Sequence, residues 1–498
     1  MSFVGRAAEL ATLEEAWLAE KSAFIPIYGR RRTGKSRLIV EFAAEKPAVY
    51  HVGKQAPAPM QRAEFLQLAA AALGEPLLAQ VVAESWAQAF RLVEERWKGP
   101  GKLLIALDEF QWSAESSPEL PSVLQEAWDR RWQKSGGIML ILCGSYVGFM
   151  EREVLGKKSP LFGRRTAQML LRPFGFREAA AFHPGWSAVD HAQAYFVCGG
   201  LPAYLECFEC GRSIEQNLTA NFFRDTGPLA REPEFLLREE LREVANYHAI
   251  LNAMAAQGET TKSGIARAAG LGDRALHYYL STLMELGYVR RRHPLSGAVN
   301  TARETRYAIA DPLLRFWFRF VYPNLSRIPI LGPERAVREL VRPGWAAFCG
   351  EAFERFCREA MPLIHAGENV AAVASVGEYW AKEGQIDVVS LRDDHCIELG
   401  ECKWGTVRSA AALRAELAGK IPTFPNRRAA TIRLRFFTRN CIRRSEPAAG
   451  SPLETWHHLA ELYNPTHARP ARSHSGIVRM PRAVVPSTIC TAVRGCPP

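Results

Sequence analysis

The stretch from Phe24 to Ser36 constrains this chain more than any other. Phe24-Ile25-Pro26-Ile27-Tyr28 is a short apolar run that reads as a buried strand. It runs directly into Gly29-Arg30-Arg31-Arg32-Thr33-Gly34-Lys35-Ser36, and Lys35 to Ala44 then shows helical periodicity. A G-x-x-x-x-G-K-[ST] loop between strand and helix turns its backbone N–H groups inward and adds the positive end of a helix. Lys35 is expected to neutralise β- and γ-phosphates, and Ser36 to offer its hydroxyl to magnesium. The expected ligand is therefore a nucleoside triphosphate, ATP with Mg2+.

A second element completes that chemistry. Leu103 to Leu107 is an apolar run ending in Asp108-Glu109. A carboxylate at the end of a buried strand is costly unless it meets a cation, so Asp108 is expected in the magnesium shell and Glu109 beside it as the group that polarises an attacking water. This pair points to hydrolysis rather than simple nucleotide holding. Leu142-Cys143-Gly144-Ser145 ends a further strand, and Ser145 is the candidate to sense the γ-phosphate. Arg164 and Arg165 are candidates for charge stabilisation in the transition state.

Around these motifs, strands at Ala48–Val52, Ile138–Leu142 and Ala167–Leu171 alternate with helical stretches at Gln61–Trp97 and Leu120–Trp132. Alternation of this kind predicts a parallel sheet covered on both faces. With 498 residues the chain exceeds one hydrophobic core, and its 48% hydrophobic and 23% charged content is that of a globular protein. No apolar run reaches the roughly 20 residues of a membrane helix, and the N-terminus lacks a secretory pattern, so a cytoplasmic location is expected. Eleven cysteines without regular spacing do not read as a disulfide framework. Cys207 and Cys210 form a lone C-x-x-C, better read as two cysteines on one helix face than as a zinc site. The net charge of +11 favours contact with nucleic acid.

Several segments together resemble the archaeal-type ATPase family of AAA+-related P-loop proteins: Phe3-Val4-Gly5-Arg6, the glycine loop, Leu107 to Gln111, Cys143-Gly144-Ser145, Ser159 to Thr166, and Gly199-Gly200-x-Pro202-x-Tyr204-Leu205. The resemblance covers about residues 1–445. It implies an ATPase core with a helical lid, and Val4, Gly5 and Arg6 near the adenine.

Further along, Ile250–Ala256, Thr260–Gly270 and Arg274–Leu286 read as three helices, followed by basic strands at Tyr288–His293 and Thr305–Ile309. This is the layout of a winged helix-turn-helix. Arg274, His277 and Tyr278 would face a groove; Arg290, Arg291, Arg292 and Arg303 would sit on the wing near phosphates. Beyond it, a helix carrying Glu354, a strand with Asp387 and a strand with Glu401-x-Lys403 resemble the PD-(D/E)xK nuclease fold, which that ATPase family commonly carries as a C-terminal (DUF234-type) domain. Asp387 and Glu401 would bind magnesium, and Lys403 would orient water.

The sequence thus predicts an α/β multidomain chain: a P-loop core (1–175), a helical lid (176–245), a winged helix-turn-helix (246–325), a small α/β nuclease-like domain (340–445) and a weakly ordered tail (446–498). The function expected is an ATP-driven switch coupled to DNA or a protein partner. An ATP-gated nuclease and a non-catalytic signalling scaffold stand as alternatives.

Overall fold

A computed structural model describes residues 3–257, 261–297, 305–382, 384–427, 429–442 and 453–464. They form two compact units. The first comprises Ala8–Tyr28 and Leu38–Leu171; the second comprises the residues up to Ala7, the loop Gly29–Arg37 and the chain from Arg172 onward.

The first unit is built on a parallel sheet of β1 (Ala23–Tyr28), β2 (Ala48–Val52), β3 (Leu103–Asp108), β4 (Ile138–Gly144) and β5 (Met169–Leu170), in the order β2-β3-β4-β1-β5. Every residue of β1, β3 and β4 is buried. That is why these strands read as continuous apolar runs rather than alternating ones. The register pairs Tyr28 with Gly144 and Val52 with Asp108, so these strands end along one edge of the sheet. The helical stretch expected over Gln61–Trp97 is two helices, Ala58–Leu73 and Trp86–Arg96. Gly74 stops the first in a left-handed cap at φ +68°, and Ser85 starts the second by accepting the Gln88 N–H.

A large core runs through the second unit. Leu237, Ile250, Leu313, Trp317, Phe353 and Trp404 all belong to it, so the helix Glu232–Glu240, the winged helix and the C-terminal segment share buried surface, while Ile386, Leu399, Leu417 and Phe436 belong to a separate cluster at the C-terminal sheet. The helices Val244–Gln257, Lys262–Ala269 and Asp273–Glu285 are followed by an antiparallel pair, β6 (Val289–Arg292) and β7 (Arg306–Ile309). A long helix, Arg342–Gly367, leads into a second sheet: β8 (Ala374–Ala381), β9 (Gly384–Arg392), β10 (Cys396–Lys403), β11 (Thr431–Thr438) and β12 (Glu454–His458), in the order β12-β11-β10-β9-β8. β8, β9 and β10 are antiparallel neighbours, whereas β10, β11 and β12 run parallel. The helix Ala410–Lys420 makes the crossover from β10 to β11.

Two expectations are corrected. The tail expected from 446 contains ordered structure: β12 pairs with β11, and the helix Leu459–Tyr463 follows it. Trp456 supplies the apolar anchor by stacking on Phe436 at 4.2 Å. Cys207 and Cys210 do not share a helix face, because the helix begun at Pro202 ends at Leu205. Among the described residues, no helix is long and apolar enough to cross a membrane.

Candidate functional site

The phosphate loop leaves β1 and enters the helix Lys35–Ala43. Gly34 takes φ +86°, a backbone state that L side chains rarely adopt, and the turn depends on it. Lys35 is buried and its Nζ donates to Gly29 O and Arg30 O, both at 2.9 Å; Thr33 Oγ1 donates to Arg30 O at 2.8 Å. The lysine is thus folded into the loop, while Ser36 is exposed at its mouth.

Each loop arginine meets an acid of the second unit. Arg30 Nη2 lies 2.7 Å from Asp311 Oδ2, and its guanidinium sits over Tyr288 at 4.9 Å. Arg31 pairs with Glu239. Arg32 Nε reaches Glu232 Oε1 at 3.0 Å, and Tyr204 OH donates to that same oxygen at 3.2 Å. Asp311 is 1% exposed and Arg30 27%, so the first pair is the most desolvated.

Arg6 braces the loop from the other side. Its Nη2 donates to Thr33 O at 3.1 Å and Arg172 O at 2.7 Å, and its guanidinium lies 3.9 Å over the Phe174 ring. Val4, Phe174, Phe182 and Pro202 join Arg6 and Gly34 in lining an apolar cleft beside the loop. Gly200 has no room for a side chain, since a Cβ there would stand 1.8 Å from Phe174 O. Gly5, next to Arg6, packs against the Phe174 ring.

In the first unit, Asp108 is 1% exposed at the end of β3. Its Oδ2 accepts Tyr50 OH at 2.6 Å and its Oδ1 accepts the Glu109 N–H at 2.8 Å. Glu109 sits in the left-handed region at φ +46°. Its carboxylate accepts Ser145 Oγ at 2.7 Å and the Gln111 side-chain amide. Ser145 therefore touches the expected water-activating carboxylate. Arg164 is engaged with Asp129 through two parallel hydrogen bonds of 2.8 and 2.7 Å. Arg165 donates to Leu155 O at 3.3 Å.

On the winged helix, Arg274, His277 and Tyr278 are exposed along one side of the helix Asp273–Glu285, while Leu276, Leu280 and Leu283 are buried on the other. Arg291 is exposed on β6. The other wing arginines depart from expectation. Arg292 is 4% exposed and ion-paired with Glu378 of β8, and Arg290 is turned inward beside it. The wing lies against the C-terminal sheet, which buries that side of β6. Arg303 lies outside the described residues.

In the C-terminal sheet, Asp387 and Glu401 are buried on neighbouring strands. Asp387 Oδ2 accepts the Cys402 N–H at 3.0 Å. Glu401 accepts Lys403 Nζ at 3.0 Å on one oxygen and Lys420 Nζ at 2.6 Å on the other. Burial, then the charge of Asp387, raises Glu401; the same two causes push Glu354 up to about 7. Glu354, Asp387 and Glu401 thus feel one another, with Lys403 at the edge. Among the described residues, no three His, Cys, Asp or Glu side chains converge as a metal-binding group.

Sequence reasoning missed Tyr50, Gln111, Glu232, Glu239, Asp311 and Lys420. Gln111 lay inside a quoted motif. The others meet their partners only through tertiary folding, and no local spacing marks them.

A phosphate loop on a parallel sheet, joined to a winged helix and a C-terminal α/β sheet, defines a P-loop ATPase with helix-turn-helix and accessory domains. Residues 3–208 match the family described as an ATPase domain predominantly from Archaea, residues 244–293 the IclR helix-turn-helix domain, and residues 317–415 DUF234, described as archaeal and bacterial proteins of unknown function. The chain thus carries an archaeal-type ATPase domain, an IclR-type helix-turn-helix and a DUF234 C-terminal domain. It is 27% identical over 406 residues to the uncharacterised protein MJECL04 of Methanocaldococcus jannaschii, covering 81% of this chain and 87% of that one. A 44-residue stretch is 48% identical to the uncharacterised ATP-binding protein MJ0423 of the same organism, covering 9% of this chain and 75% of that one. Among solved structures, the Walker-type ATPase PABY2304 of Pyrococcus abyssi is similar with a TM-score of 0.48 and 20% identity, over 64% of this chain and 96% of that one.

Proposed function

We propose that this chain is a magnesium-dependent ATPase that acts as a nucleotide switch, coupled to DNA or a protein partner. The observation that carries this reading is the set of acids holding the phosphate loop. Arg30, Arg31 and Arg32 are paired with Asp311, Glu239 and Glu232, which lie on the lid and next to the winged helix. A polyphosphate entering the loop competes for the same guanidinium groups. Its arrival would loosen those pairs, and its departure would restore them.

The hydrolytic roles follow the sequence reading. Lys35 would turn from Gly29 O and Arg30 O to the phosphate oxygens, and the cleft lined by Val4 and Phe174 would take the base. The hydroxyl of Ser36 and the carboxylate of Asp108 are hard oxygen donors of the kind magnesium takes, and the ion would supply charge neutralisation at the phosphates. Glu109 would take a proton from water once Ser145 and Gln111 release its carboxylate. A transition-state role for Arg164 requires its pair with Asp129 to open.

ATP turnover measured on the full chain with and without DNA tests the coupling. Stimulation assigns DNA as the partner; turnover indifferent to DNA assigns a protein. Absence of phosphate release leaves a signalling scaffold. Arg274 and Arg291 are exposed cations suited to a DNA contact, whose affinity would fall with rising salt.

A second reading has its own support. A helix bearing Glu354, antiparallel strands bearing Asp387 and Glu401-x-Lys403, and a helical crossover to a parallel strand suit a metal-dependent nuclease of the PD-(D/E)xK kind. DNA cleavage with magnesium that is lost in Asp387→Ala or Lys403→Ala, yet kept in Lys35→Ala, would establish it as an independent activity.

A further inference from the structure

Six arginines converge on one cavity of about 290 Å³ within the second unit: Arg290, Arg292, Arg315, Arg319, Arg355 and Arg358. Three carboxylates answer them. Glu351 accepts both bonds from Arg319, at 2.9 and 3.0 Å, and Glu378 is shared by Arg292 and Arg358. Glu354 stands 4.0 Å from Arg358. Among the described residues, Arg290, Arg315 and Arg355 have no ion-pair partner. Arg355 donates to Ile309 O and Ala310 O, and Arg315 to Phe196 O. The Nε atoms of Arg290 and Arg315 are buried without a hydrogen-bond partner.

Gathering guanidinium groups away from water costs free energy unless anions meet them. Burial, then neighbouring Arg358, pulls Arg290 down to about 10, and burial with Arg290 lowers Arg355 as well. For folding alone, apolar side chains of similar volume would serve better at these positions. Guanidinium forks are suited to tetrahedral oxyanions, which accept several paired N–H bonds at once.

We propose that this arginine cavity binds phosphate oxyanions carrying two or more negative charges, as presented by a nucleoside polyphosphate or by the phosphorylated end of a nucleic-acid strand. No glycine-loop residue lines this cavity, although its Arg315 and Arg355 also line the neighbouring cavity that holds Arg30, and binding in it does not depend on ATP hydrolysis at the loop. The cavity takes in the inward-facing side of β6 and the middle of the long helix that carries Glu354.

The test uses the full chain with Lys35→Ala, so that the glycine loop is disabled. Calorimetric titration with inorganic pyrophosphate, ATP and a 5′-phosphorylated single-stranded oligonucleotide reads the affinity. We expect binding of pyrophosphate, and at least a tenfold loss when Arg290→Gln is added. Without ligand, that double variant should melt no lower than its parent, because removing an unpaired buried cation relieves repulsion. Whichever of ATP and the oligonucleotide binds more tightly names the source of the phosphate. Lack of binding by all three probes overturns the proposal, as does an affinity unchanged by Arg290→Gln. Should Arg290→Gln fail to fold, Arg319→Gln carries the same comparison.

Discussion

Asp311 does two jobs with one carboxylate. Its Oδ2 lies 2.7 Å from Arg30 Nη2 in the phosphate loop, and its Oδ1 caps the helix Pro312–Phe316 by accepting the Leu314 N–H at 2.8 Å. Burial works against the charge of Arg30, and Asp311 outweighs it, holding the guanidinium more basic than usual. Asp311→Asn would leave Arg30 in place without its counter-charge. Losing one partner of a buried pair typically costs about 3 kcal/mol. We expect a lower urea midpoint together with tighter binding of ATP, because Arg30 is then free to meet phosphate. A variant with unchanged ATP affinity would show that the pair does not compete with nucleotide.

Glu109 is held by Ser145 and Gln111 at the end of β3. A positioned general base is worth about 10²- to 10⁴-fold in rate. Glu109→Gln should therefore lower ATP turnover at least about 100-fold while leaving ATP affinity within a few fold. Turnover assays paired with a binding titration separate the two quantities. Equal loss of both would place Glu109 in binding rather than chemistry.

Much of this site was legible because its chemistry is local. The glycine loop, Asp108 and Glu109 each sit at a strand end that the apolar runs announce. Arg274, His277 and Tyr278 were legible as an exposed face, since the leucines at helical spacing define the opposite one. The inward turn of Arg292 was not legible: β6 alternates side chains, but which face is covered depends on Glu378, 86 residues away. The same holds for Asp311 and Arg30, 281 residues apart. The ordered strand at Glu454–His458 was hidden by its polar residues, and Trp456 alone gives it an anchor.

Glu354 should make stability depend on pH near neutrality. Burial, then the nearby charge of Asp387, raises it to about 7 from an ordinary value of 4.5. A carboxyl raised in the folded state contributes stability that is present below its unfolded pKa and is lost as pH rises through the folded one. The melting temperature should therefore decline between about pH 4.5 and pH 7 on this group's account, and Glu354→Gln should flatten that slope. A slope unchanged by the substitution would show that Glu354 ionises freely.

Glu398 carries the opposite sign. Burial alone would raise it, but the hydrogen bond from His365 at 2.5 Å and the charge of Arg435 outweigh burial and hold it down to about 2. Its stability contribution is present above the ordinary value of 4.5 and is lost as pH falls toward 2. Glu398→Gln removes one of the two carboxylates that Arg435 pairs with among the described residues and should destabilise the chain at pH 7 by about 3 kcal/mol, read by urea unfolding. Acid unfolding of the variant should also begin from a smaller margin.

Phosphate release by the full chain, measured with magnesium, with EDTA in its place, and in Lys35→Ala, tests most directly the proposal that the glycine loop drives magnesium-dependent ATP hydrolysis. We predict steady release with magnesium that falls to background in the other two conditions. Absence of release, or release that persists in Lys35→Ala, would contradict it.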